Sequence, residues 1–164
     1  MMATISANVV EVCIFKMVQG EPRYLLLRRT EHDSLYPGIW QIVSGMVEEN
    51  EHAVRAALRE LHEETGLTPI RFWAAPHVDM FYIAANDTVH LSPLFAAQVG
   101  EQDQPKLSME HQSFSWDDVE TARSKLIWPG QRRGLKRVHR YIVGGLAAGD
   151  LREIKDFAHY ERSA

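Results

Sequence analysis

The sequence predicts an α/β protein in which a central mixed β-sheet is packed between helices. Apolar runs rich in β-branched residues fill the first third of the chain, a clear helix follows, and further strands precede helices near the end. With 164 residues, the chain has the length of one domain. No repeat or Pro/Ser-rich linker divides it, so we expect residues 1–164 to form a single domain.

The helices are predicted from their capping residues and apolar stripes. The clearest helix covers about 51–65, with Asn50 as N-cap and Gly66 after its last turn. A short helix is expected at about 118–124 and a C-terminal amphipathic helix at about 131–143. The predicted strands are apolar runs between turn residues, at about 9–17, 23–28, 39–44, 69–75, 79–85, 89–99 and 112–116.

Composition excludes several classes of protein. The net charge of −4 argues against a protein that coats nucleic acid by neutralising phosphates. The single cysteine, Cys13, excludes a disulfide scaffold and a Cys-based zinc cluster, and its apolar surroundings predict a core residue. No leader is recognisable, and the apolar runs are shorter than the roughly 20 residues of a membrane helix. We expect a cytoplasmic protein without membrane or nucleic-acid polymer partners, and a homodimer is left open.

Residues 45–67 concentrate negative charge, with six glutamates against two arginines. Glu60, Glu63 and Glu64 are spaced i, i+3 and i+4, so they share one helix face. Like charges at this spacing destabilise a helix by roughly 0.2–0.5 kcal/mol per pair. A hard divalent cation such as Mg²⁺ or Mn²⁺ would cancel that repulsion. Clustering alone leaves open a plain acidic helix exposed to solvent.

The spacing within this segment is more specific than its charge. It reads Gly-x5-Glu-x7-Arg-Glu-U-x-Glu-Glu-x-Gly-U, where U is a bulky aliphatic residue, from Gly45 to Leu67. Nine specified positions over 23 residues resemble in full the signature of the Nudix hydrolases. The resemblance implies an α/β/α sandwich around a mixed sheet, and cleavage of a diphosphate linkage with Mg²⁺, or Mn²⁺, as cofactor.

The resemblance also implies roles for individual residues. It assigns metal binding and catalysis to Glu60, Glu63 and Glu64, a backbone carbonyl ligand to Gly45, an orienting role to Arg59, and structural support to Glu51 and Gly66. Which glutamate is the general base stays open. Two positions depart from the commonest pattern, because Ser44 and Asn50 stand where many members have glycine. Asn tolerates a left-handed backbone, so we expect the turn to survive.

A weaker resemblance points to the branch that hydrolyses dATP and dihydroneopterin triphosphate. It rests on Trp40-Gln41, on the pair Glu110-His111 followed by Trp116, and on Trp128. This branch resemblance implies that Glu110 is a further catalytic and metal-binding acid; a loop acid without a special role is the alternative. Arg28 and Trp40 are weaker candidates for substrate binding, through phosphates and base stacking respectively.

These observations predict a Mg²⁺-dependent hydrolase that cleaves a phosphoanhydride bond of a dATP-like nucleoside triphosphate. Attack of a metal-activated water would release the nucleoside monophosphate and pyrophosphate. Alternatives are another small diphosphate substrate, such as dihydroneopterin triphosphate, a nucleotide sugar or a dinucleotide, and a ligand-sensing domain without turnover. An isomerase of the same fold would need a catalytic cysteine, and Cys13 lies in an early apolar strand.

Overall fold

An eight-stranded mixed sheet forms the centre of the computed structural model, which describes residues 2–162. Its strands are β1 (Thr4–Ser6), β2 (Val9–Val18), β3 (Glu21–Arg29), β4 (Trp40–Gln41), β5 (Val43–Met46), β6 (Arg71–Ile83), β7 (Thr88–Gln98) and β8 (His111–Asp117). The helices are α1 (Ala53–Thr65), α2 (Val119–Lys125), α3 (Pro129–Val138), α4 (Ala147–Asp150) and α5 (Ala158–Arg162). A 3-10 turn joins β6 to β7, and a π-helical turn extends α3 from His139 to Val143.

The sheet combines parallel and antiparallel pairs, as predicted. Strand β7 runs parallel to β1 and β2 and antiparallel to β6. Strand β2 pairs antiparallel with β5 through its first half and with β3 through its second half. Strand β3 in turn pairs antiparallel with β4 and β8. Strand β2 thus changes its antiparallel partner along its length, from β5 to β3.

Helices cover both faces of the sheet and divide the core into two halves. Side chains alternate along β2, so Val12 faces α1 while Cys13 faces α2 and α3. Leu61 of α1 and Leu135 of α3 are both fully buried against their faces. The α/β/α sandwich is therefore confirmed, and Cys13 is a buried core residue.

Helix α1 begins later than the sequence predicts. Its N-cap is His52, whose Nδ1 accepts a hydrogen bond from the Val54 N–H at 3.2 Å, so the assignment of Asn50 as N-cap is wrong. Asn50 instead has a left-handed backbone (φ 63°) in the preceding turn. That turn is closed by the Glu51 N–H, which donates to the Glu48 carbonyl at 3.1 Å. Asn50 therefore adopts the left-handed backbone that glycine often provides in such a turn, as predicted.

Two other element boundaries differ from the prediction. The strands expected at 69–75 and 79–85 are one strand, β6, with an irregularity between Ala74 and Val78. Pro76 lies within the irregularity, where its missing N–H interrupts no ladder. The helix expected at 131–143 starts two residues earlier, because Pro129 suits the first turn, and becomes π-helical after Val138.

No helix among residues 2–162 is long and apolar enough to cross a membrane.

Candidate active site

Strand β5 and helix α1 meet so closely that only glycine fits at the contact. Gly45 pairs with Val10 in the sheet and faces α1. A Cβ added at Gly45 would overlap the carboxyl group of Glu60. The sequence requirement for glycine here is therefore steric: its backbone must approach an acidic side chain of the helix. The same approach places the strand's backbone beside the acids of α1.

Arg59 is the hub of a network that fixes the loop before α1 to the helix. Its Nε and Nη2 each lie 2.9 Å from an oxygen of Glu51, forming a forked pair. It also donates to the Met46 carbonyl at 2.8 Å, to Glu60 at 2.7 Å and to Glu63 at 3.2 Å. Hydrogen bonding to Arg59 lowers the pKa of Glu51. The Glu51 carboxylate also accepts a hydrogen bond from the Glu48 N–H at 3.0 Å. The Arg59–Glu51 ion pair therefore connects the loop before α1, the end of β5 and the helix.

Glu64 is a buried acid without a charge partner. Only 4% of the residue is exposed, and the Ser44 N–H donates a hydrogen bond to its carboxylate. Its Oε2 has no hydrogen-bond partner in the structure, and the nearest cation candidate, His111 Nε2, is 3.7 Å away. Burial lowers the pKa of His111 to about 4, so His111 is neutral at pH 7 and does not compensate the acid. Burial, with the charges of Glu60 and Glu110, raises the pKa of Glu64 to about 9.

The other predicted acids surround Glu64 at different depths. Burial raises the pKa of Glu60, and the charges of Glu63 and Glu110 raise it further against the opposing effect of Arg59. The Glu63 side chain is 57% exposed. Glu110 is exposed at the start of β8, and its backbone carbonyl accepts the Thr30 N–H at 3.1 Å. The structure thus brings Glu110 to the acids of α1, although 46 residues of sequence separate it from Glu64.

Within the part of the chain that the structure describes, no three acidic, histidine or cysteine side chains converge into a preformed metal-ligand group. Glu60 and Glu63 turn instead towards Arg59. The residues nevertheless fit a hard divalent cation, because the Glu64 oxygen is buried without a partner among like charges. Oxygen ligands and uncompensated negative charge are what such ions require. The metal-binding roles of Gly45, Glu60, Glu63, Glu64 and Glu110 remain predictions.

A cavity of about 560 Å³ opens beside the acids, on the face of the sheet that α3 covers. Ser44 and Arg29 line it, and both act on Glu64: the Ser44 N–H donates to its carboxylate, and the charge of Arg29 opposes the rise of its pKa. Exposed apolar side chains form its mouth, among them Tyr36 and Trp128, whose rings meet edge to face at 5.1 Å. This volume is in the range of small-molecule sites.

The cavity floor is polar and was not predicted from the sequence. Glu11 and Asp79 are 6% and 8% exposed, and both line the cavity with Gln131 and His90. Glu11 could have been noticed as a charged residue in the apolar run of β2. Asp79 gave no comparable signal, because its proximity to Glu11 and Gln131 depends on the β6–β7 register and on where α3 begins.

The two weak candidates for substrate binding lie outside this cavity. Arg28 donates to the Gly38 carbonyl and to Glu31, and the Trp40 ring lies under Lys125, whose Nζ is 4.9 Å from the ring centroid. Their neighbours Arg29 and Gln41 line the cavity in their place.

Burial of Glu11 predicts a pH-dependent stability. Burial raises the Glu11 pKa from 4.5 to about 7, with the charge of Asp79 adding to the effect against the Gln131 hydrogen bond. The folded protein therefore holds this proton more tightly than the unfolded chain, and stability falls as pH rises from about 4.5 through about 7. Glu11→Gln should gain stability relative to wild type between pH 5 and pH 8, measured by urea unfolding. A difference that stays constant with pH would contradict the assigned burial.

Comparison with known proteins identifies the family. The model of the NUDIX domain matches residues 7–138 of the chain. An octanoyltransferase from Myxococcus xanthus is 35% identical over 135 residues, which cover 78% of this chain. The matched region is 35% of that relative, so the chain spans about a third of its length. The nucleoside triphosphatase NudI of Escherichia coli (strain K12) is 25% identical over 107 residues, covering 61% of this chain and 76% of that protein.

A solved structure shows the same fold. An Ap4A hydrolase of C. elegans, determined as a binary complex, superposes with a TM-score of 0.70 at 22% identity, covering 85% of this chain and 99% of that one. The NUDIX match spans most of the chain and contains the whole segment 45–67. The chain therefore belongs to the Nudix family.

Proposed function

We propose that this Nudix hydrolase cleaves a phosphoanhydride bond of a dATP-like nucleoside triphosphate, giving the nucleoside monophosphate and pyrophosphate. The observation that carries the proposal is that Ser44, whose N–H donates to the buried Glu64 carboxylate, also lines a cavity of nucleoside size. The other oxygen of this carboxylate, Oε2, has no hydrogen-bond partner. The acids suit the phosphate chain with its metal, and the cavity suits the nucleoside. One small molecule would occupy the cavity and reach the acids. For an enzyme with such a substrate we propose a cytoplasmic location.

In this proposal Glu60, Glu63, Glu64 and Glu110, with the Gly45 carbonyl, would hold Mg²⁺, with Mn²⁺ as an alternative. The bound metal would neutralise phosphate charge and acidify a water for attack at phosphorus. Arg59 and Glu51 hold the loop and helix in register, and Gly66 ends the helix with a left-handed backbone (φ 66°). The raised pKa values of Glu60 and Glu64 make either a candidate general base.

Arg29 is the cation best placed for the phosphate chain. It lines the cavity and lies near enough to Glu64 and His111 to affect the pKa of both. Its guanidinium pairs with Asp33, which fixes its direction, while its buried Nε has no hydrogen-bond partner. A guanidinium held between acids and cavity can bind a phosphate oxygen while the nucleoside occupies the cavity.

Other diphosphate substrates fit the same acids, and the cavity does not distinguish a nucleoside from a pterin by size alone. A non-catalytic sensing domain is the alternative without turnover, but the signature segment keeps its full set of acids. A panel of dATP, dGTP, dihydroneopterin triphosphate, a nucleotide sugar and a dinucleotide, assayed with Mg²⁺, separates these readings. Phosphate released only after adding pyrophosphatase supports the proposal. Turnover confined to sugars or dinucleotides, or no turnover, would refute it.

Glu64→Gln should abolish most turnover while preserving the fold. The amide keeps the shape of the side chain but supplies neither the charge for a cation nor a base, so kcat should fall by about 10²–10⁴-fold. The matched control is Glu49→Gln, an exposed glutamate at an unspecified position of the same segment. Steady-state rates and melting temperatures of both variants provide the test. A Glu64→Gln enzyme with near-normal kcat would remove this residue from the site.

Arg59→Lys should impair catalysis although the charge is kept. Lysine cannot reproduce the forked pair with Glu51 while also reaching the Met46 carbonyl and Glu60, so the acids lose their support. Groups that orient metal ligands typically affect metal affinity or activity by about 10–100-fold. Arg71→Lys is the control, because Arg71 forms a similar fork with Glu153 away from the site. Equal, small effects of both changes would contradict the orienting role.

A further inference from the structure

Two buried carboxyl groups at the cavity floor have no part in the hydrolysis described above. Glu11 comes from β2 and Asp79 from β6, and the charge of Asp79 raises the pKa of Glu11. The nearest cation to Asp79 is Arg133, whose side chain is 65% exposed and whose Nη2 lies 3.9 Å from Asp79 Oδ1. Solvent screens such a pair, so Arg133 is a weak partner for Asp79, whose Oδ1 also accepts a hydrogen bond from the Met80 N–H at 3.0 Å.

Two residues in the first turn of helix α3 pack against these acids. Gln131 donates from Nε2 to Glu11 Oε1 at 2.9 Å, and its own Oε1 accepts from the Ile42 N–H at 3.5 Å. A Cβ at Gly130 would overlap the Asp79 carboxyl group, so glycine leaves the space that Asp79 fills. Asp79 thereby sits at the start of α3, where the helix dipole favours a negative charge. The floor is held in place by three elements that are distant in sequence.

His90 adds a third acceptor that has no partner. Its Nδ1 is 3.2 Å from Asn8 Oδ1, which also accepts from the Ser6 hydroxyl at 2.8 Å. An amide oxygen only accepts, so this contact places the ring proton on Nδ1 and leaves Nε2 as an acceptor. His90 lines the cavity and is 7% exposed, and its Nε2 has no hydrogen bond in the structure. Phe81 stacks on the ring at 5.2 Å and fixes its plane.

The floor therefore presents several acceptor atoms to the cavity. Glu11 Oε1 accepts from Gln131, Asp79 Oδ1 accepts from the Met80 N–H at 3.0 Å, and His90 Nε2 accepts no hydrogen bond in the structure. A carboxyl group has lone pairs for several hydrogen bonds, so a ligand that supplies N–H groups can pair with these acids and with His90 Nε2. Resting on the proposed function, we propose that Glu11 and Asp79 determine base specificity by accepting hydrogen bonds from the exocyclic amino group of a purine base. A base without an amino group offers one donor group fewer to these carboxyl groups. Adenine and guanine carry such a group, and hypoxanthine does not.

Deoxyinosine triphosphate is therefore the matched control substrate. Wild-type enzyme should show kcat/KM for dATP or dGTP at least about tenfold above that for dITP, because sites built to hydrogen-bond a group reject analogues that lack it. Asp79→Asn and Glu11→Gln place an amide where the carboxyl stood, and should reduce this ratio at least about threefold through KM more than kcat. The exposed Asp156→Asn should leave the ratio unchanged.

A binding measurement separates this proposal from the proposed function. Metal-free enzyme is titrated with dAMP, dGMP and dIMP by calorimetry, which needs no turnover. We expect dAMP or dGMP to bind at least about tenfold more tightly than dIMP, and Asp79→Asn or Glu11→Gln to reduce that difference. If no triphosphate is hydrolysed but this selectivity is found, the proposed function fails and the floor assignment stands. Equal kcat/KM for all three triphosphates, equal affinity for the monophosphates, or no binding of any would overturn the floor assignment.

Discussion

The candidate site depends on one acid, Glu64, that the fold buries without a cationic partner. Its Oε2 has no hydrogen bond, its histidine neighbour is neutral at pH 7, and Glu60 and Glu110 add negative charge. A buried anion in such surroundings is costly unless it takes up a proton or a cation. Burial and these charges raise the pKa of Glu64 to about 9, so we expect the acid to hold a proton at neutral pH when no metal is bound. Binding of a divalent ion would displace that proton. The free energy that the fold loses by burying this acid would then favour binding of the metal.

The rest of the signature segment maintains this unfavourable arrangement. Gly45 lets β5 approach the Glu60 carboxyl, and Arg59 ties the loop to the helix through Glu51. Arg59 satisfies the acids at the solvent side but does not reach Glu64 among the contacts described. In the structure, the segment therefore holds two acids, Glu60 and Glu63, that pair with Arg59, and one buried acid, Glu64, that does not. A single charged network serves the stability of the loop and the chemistry of the site together.

The site and the cavity differ in how much the sequence could predict. The acids of α1 occupy fixed offsets within 23 residues, so helical geometry and family spacing suffice to place Glu60, Glu63 and Glu64 on one face. Glu11 and Asp79 are 68 residues apart and meet only through strand register and the start of α3. Sequence patterns also misplaced the N-cap by two residues, because a tight turn took Asn50 and left His52 to cap α1. Patterns within a short segment therefore predict the acids of α1, whereas the pairing of distant strands determines the cavity floor.

The most direct test of this account is the anomalous scattering of crystals soaked in Mn²⁺. The account predicts a strong peak within coordination distance of Glu64 and Glu60, beside the Gly45 carbonyl, and its loss in Glu64→Gln crystals. A fully soaked crystal of the wild type with no peak at these acids would contradict it.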